Sequence, residues 1–462
     1  MIPMLDLSKL FATHGADVTL VATPHDPAAF QKIIDKTRSY APRIQTQLLQ
    51  FPSADAELQS RSKTLESALS HDDVVGFISS MDMFREPLAH LVEQHRPDCI
   101  VSDVFFTWTC EVTTRFGIPR LVFDGSSYLT LCLAEVLERR RPHDGVASDS
   151  EPFVVPGLPH PIQLTRSQVP DYLKDHKGFF GLWERVRETN LKSFGYVMNS
   201  FDELERYFVE HYRAEKGRKA WAVGPLSLYN RSAADMAERG RKASIDPDEC
   251  SRWLDAKQPG SVVYVCLGSM CRLSAGQLLE IAAALEASGT AFLWVVGDSN
   301  SRLPEQEWLP EELEKRAEGK GIIIRGWAPQ VLILSHPAVG VFVTHCGWNS
   351  VLEGVSAGVA MVTWPIYAEQ FYNEKLVTQV LGTGVPVGSV VWTSWENRDR
   401  PVIGREKIRK AIGMMMDGGD ESERMKKRAK EMGEMALRAV EVGGSSYSNM
   451  RDLIKQLKMH GK

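Results

Sequence analysis

The chain holds 462 residues, 43% apolar and 24% charged, with a net charge of −5. That length exceeds one ordinary core and calls for two domains. The acidic balance argues against a nucleic-acid binder, whose phosphate contacts need a basic face. No apolar run approaches the roughly 18 residues of a membrane span, and no secretory leader pattern precedes the first helical stretch. The seven cysteines are scattered, odd in number and without a C-x-x-C pair. They read as reduced thiols of a cytoplasmic protein, not as a disulfide framework or a zinc site. Asn230-Arg231-Ser232 matches a glycosylation sequon, which without a leader is read as chance.

The chain opens on a helical pattern bracketed by Pro3 and Gly15, with Met4, Leu7, Leu10 and Phe11 on one face. A short apolar run at 17–23 follows as a strand. Further strands are predicted at 99–101, ending in Ser102-Asp103, and at 119–123, ending in Asp124-Gly125-Ser126-Ser127. Helical spacing fills 107–116 between them. The stretch 142–161 is rich in Pro, Gly and Ser and reads as a loop. Strands at 196–200 and 220–223 close the first half. From 226 to 247 the apolar periodicity fades, and this stretch reads as a linker. The second half restarts at 261–267, with strands at 292–296, 321–325, 340–344 and 359–363 separated by helical patterns. Such βα repetition implies a parallel sheet covered on both faces. Two such halves predict an α/β fold of two Rossmann-like domains facing a cleft.

Chemistry concentrates in GWAPQVLILSHPAVGVFVTHCGWNSVLEGVSAGVAMVTWPIYAEQ, residues 326–370. A strand ends at Thr344-His345, Cys346-Gly347-Trp348 turn the chain, and a helix begins near Asn349-Ser350. Ligands of open α/β sheets bind beyond the carboxyl ends of the strands. A helix start offers free N–H groups and a positive dipole end, which suits a phosphate, and His345 adds a donor beside it. Plainer readings exist. Ser350 and Glu353 match a capping box, and Trp327, Trp348 and Trp364 suit a core. Yet three Trp, a His, two amides and two carboxylates fall at turns of consecutive βα units, where a core has no use for so many polar groups.

This 44-residue span, Trp327 to Gln370, closely resembles the signature box of plant secondary-product glycosyltransferases that use UDP-sugars. The resemblance runs from the first helix to Gly443-Gly444-Ser445-Ser446. The stretch DECSRWLDAKQPGSVVYVCLGS is similar to the subgroup acting on flavonoids, triterpenoids and steroids. The resemblance implies the GT-B architecture, with an acceptor domain at 1–225, a linker at 226–247, a UDP-sugar domain at 248–440 and a C-terminal helix at 441–462 packing back on the first domain. Trp327 would stack on uracil, with the Ala328 backbone and Gln330 at its edge. Glu353 would hold the ribose. His345, Asn349, Ser350 and Ser269 would hold the phosphates. Trp348, Glu369 and Gln370 would meet the sugar, and Gln370 is the type associated with glucose. The implied reaction is inverting transfer of glucose from UDP-glucose to a hydroxyl of a small apolar metabolite, by a monomer that needs no metal. The implied acceptor pocket includes Phe106, Ser126, Phe180 and Trp183.

In the family a strand and a Gly-His pair lead into the helix that begins here at Ile2, and that His is the general base, oriented by an Asp that Asp103 matches. The first strand of the N-terminal domain is therefore expected to be absent, with the base falling before Met1. His14 sits at the far end of the first helix, roughly 15–20 Å away at about 1.5 Å per residue. His25, after the next strand, is the remaining substitute. A missing base costs about 10²–10⁴ in rate, so a UDP-sugar-binding but catalytically impaired chain is the alternative reading. A dinucleotide-dependent oxidoreductase is disfavoured because neither half carries G-x-G-x-x-G after its first strand. A hydrolase or epimerase is the other rival.

Overall fold

The computed structural model describes residues 2–22, 43–49, 71–176, 179–298, 300, 309, 313–394, 397 and 400–460. His25 lies outside them.

In the first half the strands are Val18–Ala22 (β1), Ile44–Leu48 (β2), Ile100–Asp103 (β3) and Arg120–Asp124 (β4). A small antiparallel hairpin follows, Pro152–Val154 (β5) with Gln163–Thr165 (β6), and then Gly195–Met198 (β7) and Ala220–Ala222 (β8). The parallel order is β3-β4-β7-β8, while β1 and β2 form a separate parallel pair. Among the described residues no strand pairs with both β1 and β3 to join the two sheets. Burial reports the same break. β4, β7 and β8 are buried throughout, whereas β1 alternates between half-buried and exposed positions and only Ser102 of β3 is fully buried.

The second half is one six-stranded parallel sheet. Its strands are Val262–Cys266 (β9), Ala291–Val296 (β10), Gly321–Arg325 (β11), Val339–Thr344 (β12), Ala360–Thr363 (β13) and Gly384–Pro386 (β14), in the order β11-β10-β9-β12-β13-β14. Near-continuous apolar runs such as VVYVC and AFLWVV build its centre, where nearly every side chain is buried, while the edge strand β11 is mostly half-buried.

Two other elements position the cleft. The N-terminal helix Ile2–Thr13 buries Leu7, Leu10 and Phe11 in one cluster with Leu121, Phe123, Val197 and Trp221. Each such side chain contributes about 1.5–3 kcal/mol. The C-terminal helix Ser445–His460 adds Met450, Leu453 and Leu457 to that cluster. Trp221 Nε1 donates to Asp452 Oδ2 at 2.8 Å, and Asn449 Nδ2 to the Ala222 carbonyl at 2.9 Å. The last helix therefore packs on the first half.

Local structure departs from the sequence reading in three places. The expected loop at 142–161 contains a 3-10 turn at Pro142–Asp144 and the strand β5. The expected linker contains a 3-10 turn at Leu226–Tyr229 and a short helix at Ala233–Ala237, whose start Ser232 caps by accepting from Asp235 N. Strands β2, β6 and β14 had no signal strong enough to predict them, since IQTQL and QLT are mostly polar and GVP is three residues long. No helix among the described residues is long and apolar enough to cross a membrane.

Candidate active site

The turn after β12 is tight. Cys346 has φ +64°, a conformation that costs a non-glycine residue of order 1–3 kcal/mol. Gly347 then precedes the helix Trp348–Ser356. The His345 ring is wedged between two glycines. A Cβ on Gly268 would stand 2.6 Å from His345 Nε2, and one on Gly347 would stand 2.5 Å away. Only glycine at both positions lets the turn after β9 close on the turn after β12. Burial pushes the His345 pKa down to about 4 from 6.5, so the ring is neutral near pH 7. Its buried Nδ1 has no hydrogen-bond partner among the described residues.

A pH dependence follows. The native state keeps this ring neutral, while the unfolded chain takes up a proton below about pH 6.5. Stability is therefore lost as pH falls from about 6.5 to about 4, by roughly 3 kcal/mol if His345 acts alone. His345→Asn is expected to flatten the slope of Tm over that window, as measured by calorimetry.

One turn into the helix the side chains interlock. Gln330 Nε2 donates to Ser350 Oγ at 3.0 Å and to Glu353 Oε2 at 2.7 Å. The Tyr264 hydroxyl donates to Gln330 Oε1 at 3.3 Å. The capping-box reading of Ser350 and Glu353 is thereby corrected. The helix begins slightly earlier than expected, at Trp348 instead of near Asn349-Ser350, and Gly347 is its N-cap with no side-chain cap. Ser350 and Glu353 consequently lie inside the helix and turn to Gln330 instead.

The remaining predicted donor residues meet at the interface of the halves. Trp348 is 2% exposed, and its Nε1 donates to the Asn199 carbonyl at 2.7 Å. Asn199 Nδ2 donates to Asn349 Oδ1 at 3.1 Å. Asn373 Nδ2 donates to the Cys346 carbonyl at 3.0 Å and to Glu369 Oε1 at 3.3 Å. Its Oδ1 accepts from Ser127 Oγ, across the interface, at 3.0 Å. Burial raises the Glu369 pKa above the ordinary carboxylate value. Ala368, just before it, has φ +50°. Gln370 Oε1 accepts from Ile366 N at 2.9 Å and Tyr367 N at 3.1 Å, which commits it to holding this turn. Asn199 and Asn373 were missed by the sequence reading. The only signal was their position just after β7 and just inside the helix Gln370–Lys375.

On the first half, Asp103 ends β3, and its Oδ1 accepts from Phe105 N at 3.0 Å. Burial raises its pKa, and the Phe105 N–H works against that rise. Asp124 ends the adjacent β4 and accepts from Ser126 N at 3.0 Å and Ser126 Oγ at 2.6 Å. Ser126 is thus spoken for by its neighbour.

One cavity of about 2950 Å³ joins these groups. Ser269, Trp327, Ala328, Gln330, His345, Trp348, Asn349, Ser350, Glu353, Glu369 and Gln370 all line it, together with Asp103 and Phe106. Ser126, Phe180 and Trp183 do not. Phe180 instead stacks on His176, ring centres 4.2 Å apart, and Trp183 lies on the same helix, Phe180–Asn190. An ordinary ligand pocket measures about 300–1,000 Å³. The surplus arises because the interdomain cleft runs on into the slot between β1 and β3, whose residues line the same space.

Residues 183–398 match the family described as UDP-glucoronosyl and UDP-glucosyl transferase. The chain is 47% identical over 462 residues to a scopoletin glucosyltransferase of Nicotiana tabacum, covering all of this chain and 96% of that protein. It is 45% identical over 465 residues to an anthocyanin 3'-O-beta-glucosyltransferase of Gentiana triflora, covering 100% and 96%. Among solved structures, UGT73P12 of Glycyrrhiza uralensis, complexed with glycyrrhetinic acid 3-O-monoglucuronide, superposes with a TM-score of 0.91 at 41% identity, over 99% of this chain and 93% of that one.

Proposed function

The chain belongs to the plant secondary-product UDP-glycosyltransferase family, a set of GT-B enzymes that take a UDP-sugar as co-substrate, and from that premise we propose that it moves glucose from UDP-glucose to a hydroxyl of a small apolar metabolite, with inversion to a β-O-glucoside. The observation that carries the reading is the convergence of eleven residues predicted to hold the donor, from four separate βα turns, on one cavity. Trp327 stacks on uracil, Glu353 takes the ribose hydroxyls, and Trp348, Glu369 and Gln370 take the sugar. The diphosphate sits over the start of the helix Trp348–Ser356, with Ser269, Asn349, Ser350 and the neutral His345 as donors. As the sugar carbon is attacked, negative charge grows on the departing UDP, and these fixed N–H and O–H groups stabilise it without having to reorient. Asp103, at the end of β3, stands where the family's base-orienting Asp belongs.

The acceptor lies in the flavonoid, triterpenoid and steroid range, and the relatives' names favour the flat phenolic end of it. The wide, partly apolar continuation of the cleft past Phe106 suits such a body. The domain division 1–225, 226–247 and 248–440, with 441–462 returning to the first domain, belongs to this reading, as does a monomer in a reducing compartment. The seven cysteines all stand as free thiols, which supports the latter.

A second reading is a chain that holds UDP-sugar but transfers it slowly. It is favoured by the surroundings of Asp103, whose carboxylate receives its one hydrogen bond among the described residues from Phe105 N and none from a histidine. A product assay with UDP-glucose and a panel of flavonoid, coumarin and triterpenoid acceptors separates the two. Glucoside formation supports the first, and donor binding without product supports the second. A chain that binds no UDP-glucose overturns both. Trp327→Ala is expected to weaken UDP binding about 5- to 150-fold, the worth of one base–aromatic stack of about 1–3 kcal/mol, read by titration calorimetry.

A further inference from the structure

The stretch between the two halves does more than connect them. Arg239 is nearly buried, its side chain 9% exposed. Its Nη1 donates to Glu353 Oε1 at 2.5 Å, and its Nε donates to Asp6 Oδ2 at 2.8 Å. Asp6 is 2% exposed on the N-terminal helix, and its other oxygen accepts from Asn230 Nδ2 at 2.8 Å. The residues that follow seal the same wall. Gly240 lies so close to Trp327 that a Cβ would come within 2.5 Å of the indole. The Arg241 guanidinium stands 5.8 Å from the Trp327 ring centre. Ser244 N donates to the Trp327 carbonyl at 2.7 Å, and Trp327 N donates back to Ser244 Oγ at 3.1 Å.

Glu353 therefore has both oxygens engaged, one by Arg239 and one by Gln330. Each carboxylate oxygen has a second lone pair, so two further donors can still be received. A carboxylate held from both sides receives them without losing rotamer freedom, and that saving appears as affinity. Burial works against the Arg239 charge, but the Glu353 and Asp6 carboxylates outweigh it and raise its pKa, so the guanidinium stays protonated.

We propose that Arg239 is a positioning residue of the donor site: it fixes Glu353 for the two ribose hydroxyls of a uridine nucleotide and, through Asp6, makes that fixing depend on the N-terminal helix. The proposal rests on the reading of Glu353 as the ribose carboxylate. Losing Arg239 then weakens the grip on the ribose specifically, not on uracil or phosphate. Lysine in its place reaches one carboxylate but not both, because its ammonium is a point and not a fork.

The test is equilibrium binding of UDP and of 2′-deoxy-UDP to the full chain by calorimetry, with Tm recorded for each variant. The parent chain is expected to prefer UDP about tenfold or more, the worth of one hydrogen bond to a charged group. Arg239→Met is expected to bring the ratio below about threefold, and Asp6→Asn, which keeps the shape of the side chain, to lower it part of the way. In a Glu353→Gln background, Arg239→Met should add no further change. The ratio compares two ligands on one protein, so a general loss of stability does not move it. If Arg239→Met folds poorly, Arg239→Lys carries the same comparison, with an intermediate ratio expected. An unchanged ratio in these Arg239 variants overturns the proposal even if Tm drops. A parent chain that does not discriminate, or a Glu353→Gln variant that still does, overturns the ribose reading beneath it.

Discussion

Lengthening the amino end by an apolar strand that finishes in Gly-His is expected to raise glucoside turnover about 10²–10⁴-fold, the usual worth of a general base. The argument starts from the slot. β1 hydrogen-bonds to β2 and β3 to β4, and among the described residues neither pairs on its other side. Both line one cavity, with Leu20 and Val101 half-buried and Val21 37% exposed. Open apolar strand edges of this kind take up another strand readily. A parallel segment in the slot would run into the N-terminal helix and deliver its last residues to the level of Asp103, at the end of β3. Burial raises the pKa of that carboxylate, and a histidine N–H would give it a partner. Product formation and Tm are the readouts. The same extension ending in Gly-Ala should raise Tm without raising turnover, which separates filling the slot from supplying the base. An extension that changes neither would show that the slot does not accept a strand.

Trp348→Ala is expected to cost about 3–5 kcal/mol of stability, the range for deleting a buried large aromatic, and to abolish measurable UDP binding. Trp348 is among the largest fully packed side chains, and its Nε1–H bond to the Asn199 carbonyl joins the two halves. Truncation opens a cavity at the start of the helix Trp348–Ser356, the proposed diphosphate site, and leaves that carbonyl without its donor. Trp348→Phe keeps most of the volume and loses only the hydrogen bond, so it should cost about 1–3 kcal/mol. Denaturant titration of both variants gives the two numbers. Equal losses would mean that the hydrogen bond, not the packing, carries the residue's role.

The clustering of the proposed donor residues on one cavity was legible in the sequence because it is local. His345, Trp348, Asn349, Glu369 and Gln370 each follow a strand by a few residues, and strands of the VFVT and MVT kind have unmistakable composition. What failed there failed by one or two residues. The helix starts at Trp348 instead of near Asn349-Ser350, and that shift alone turned an apparent capping box into the Gln330 cluster. Contacts between distant segments were illegible. Asn199 finds Asn349 across 150 positions, Ser127 finds Asn373 across 246, and Arg239 finds Glu353 across 114. Nothing near Arg239 marks it as buried, since its stretch has the polar, small-residue composition of a spacer. On the acceptor side aromatic type was a poor guide, because Phe180 found a stacking partner in His176 while Phe106 reached the cleft.

The return of the last helix to the first half has a consequence for recombining this enzyme with its relatives. A single crossover in the linker would join the N half of one parent to a C half that brings its own terminal helix. Trp221 would then face a foreign residue where Asp452 now accepts its indole N–H, and Leu453 and Leu457 would be replaced in a cluster built around Leu7 and Phe11. The exchangeable unit is therefore discontinuous: residues 445–460 travel with the N half, and hybrids cut at two places, at the linker and just before Ser445, keep each core in one parent's sequence.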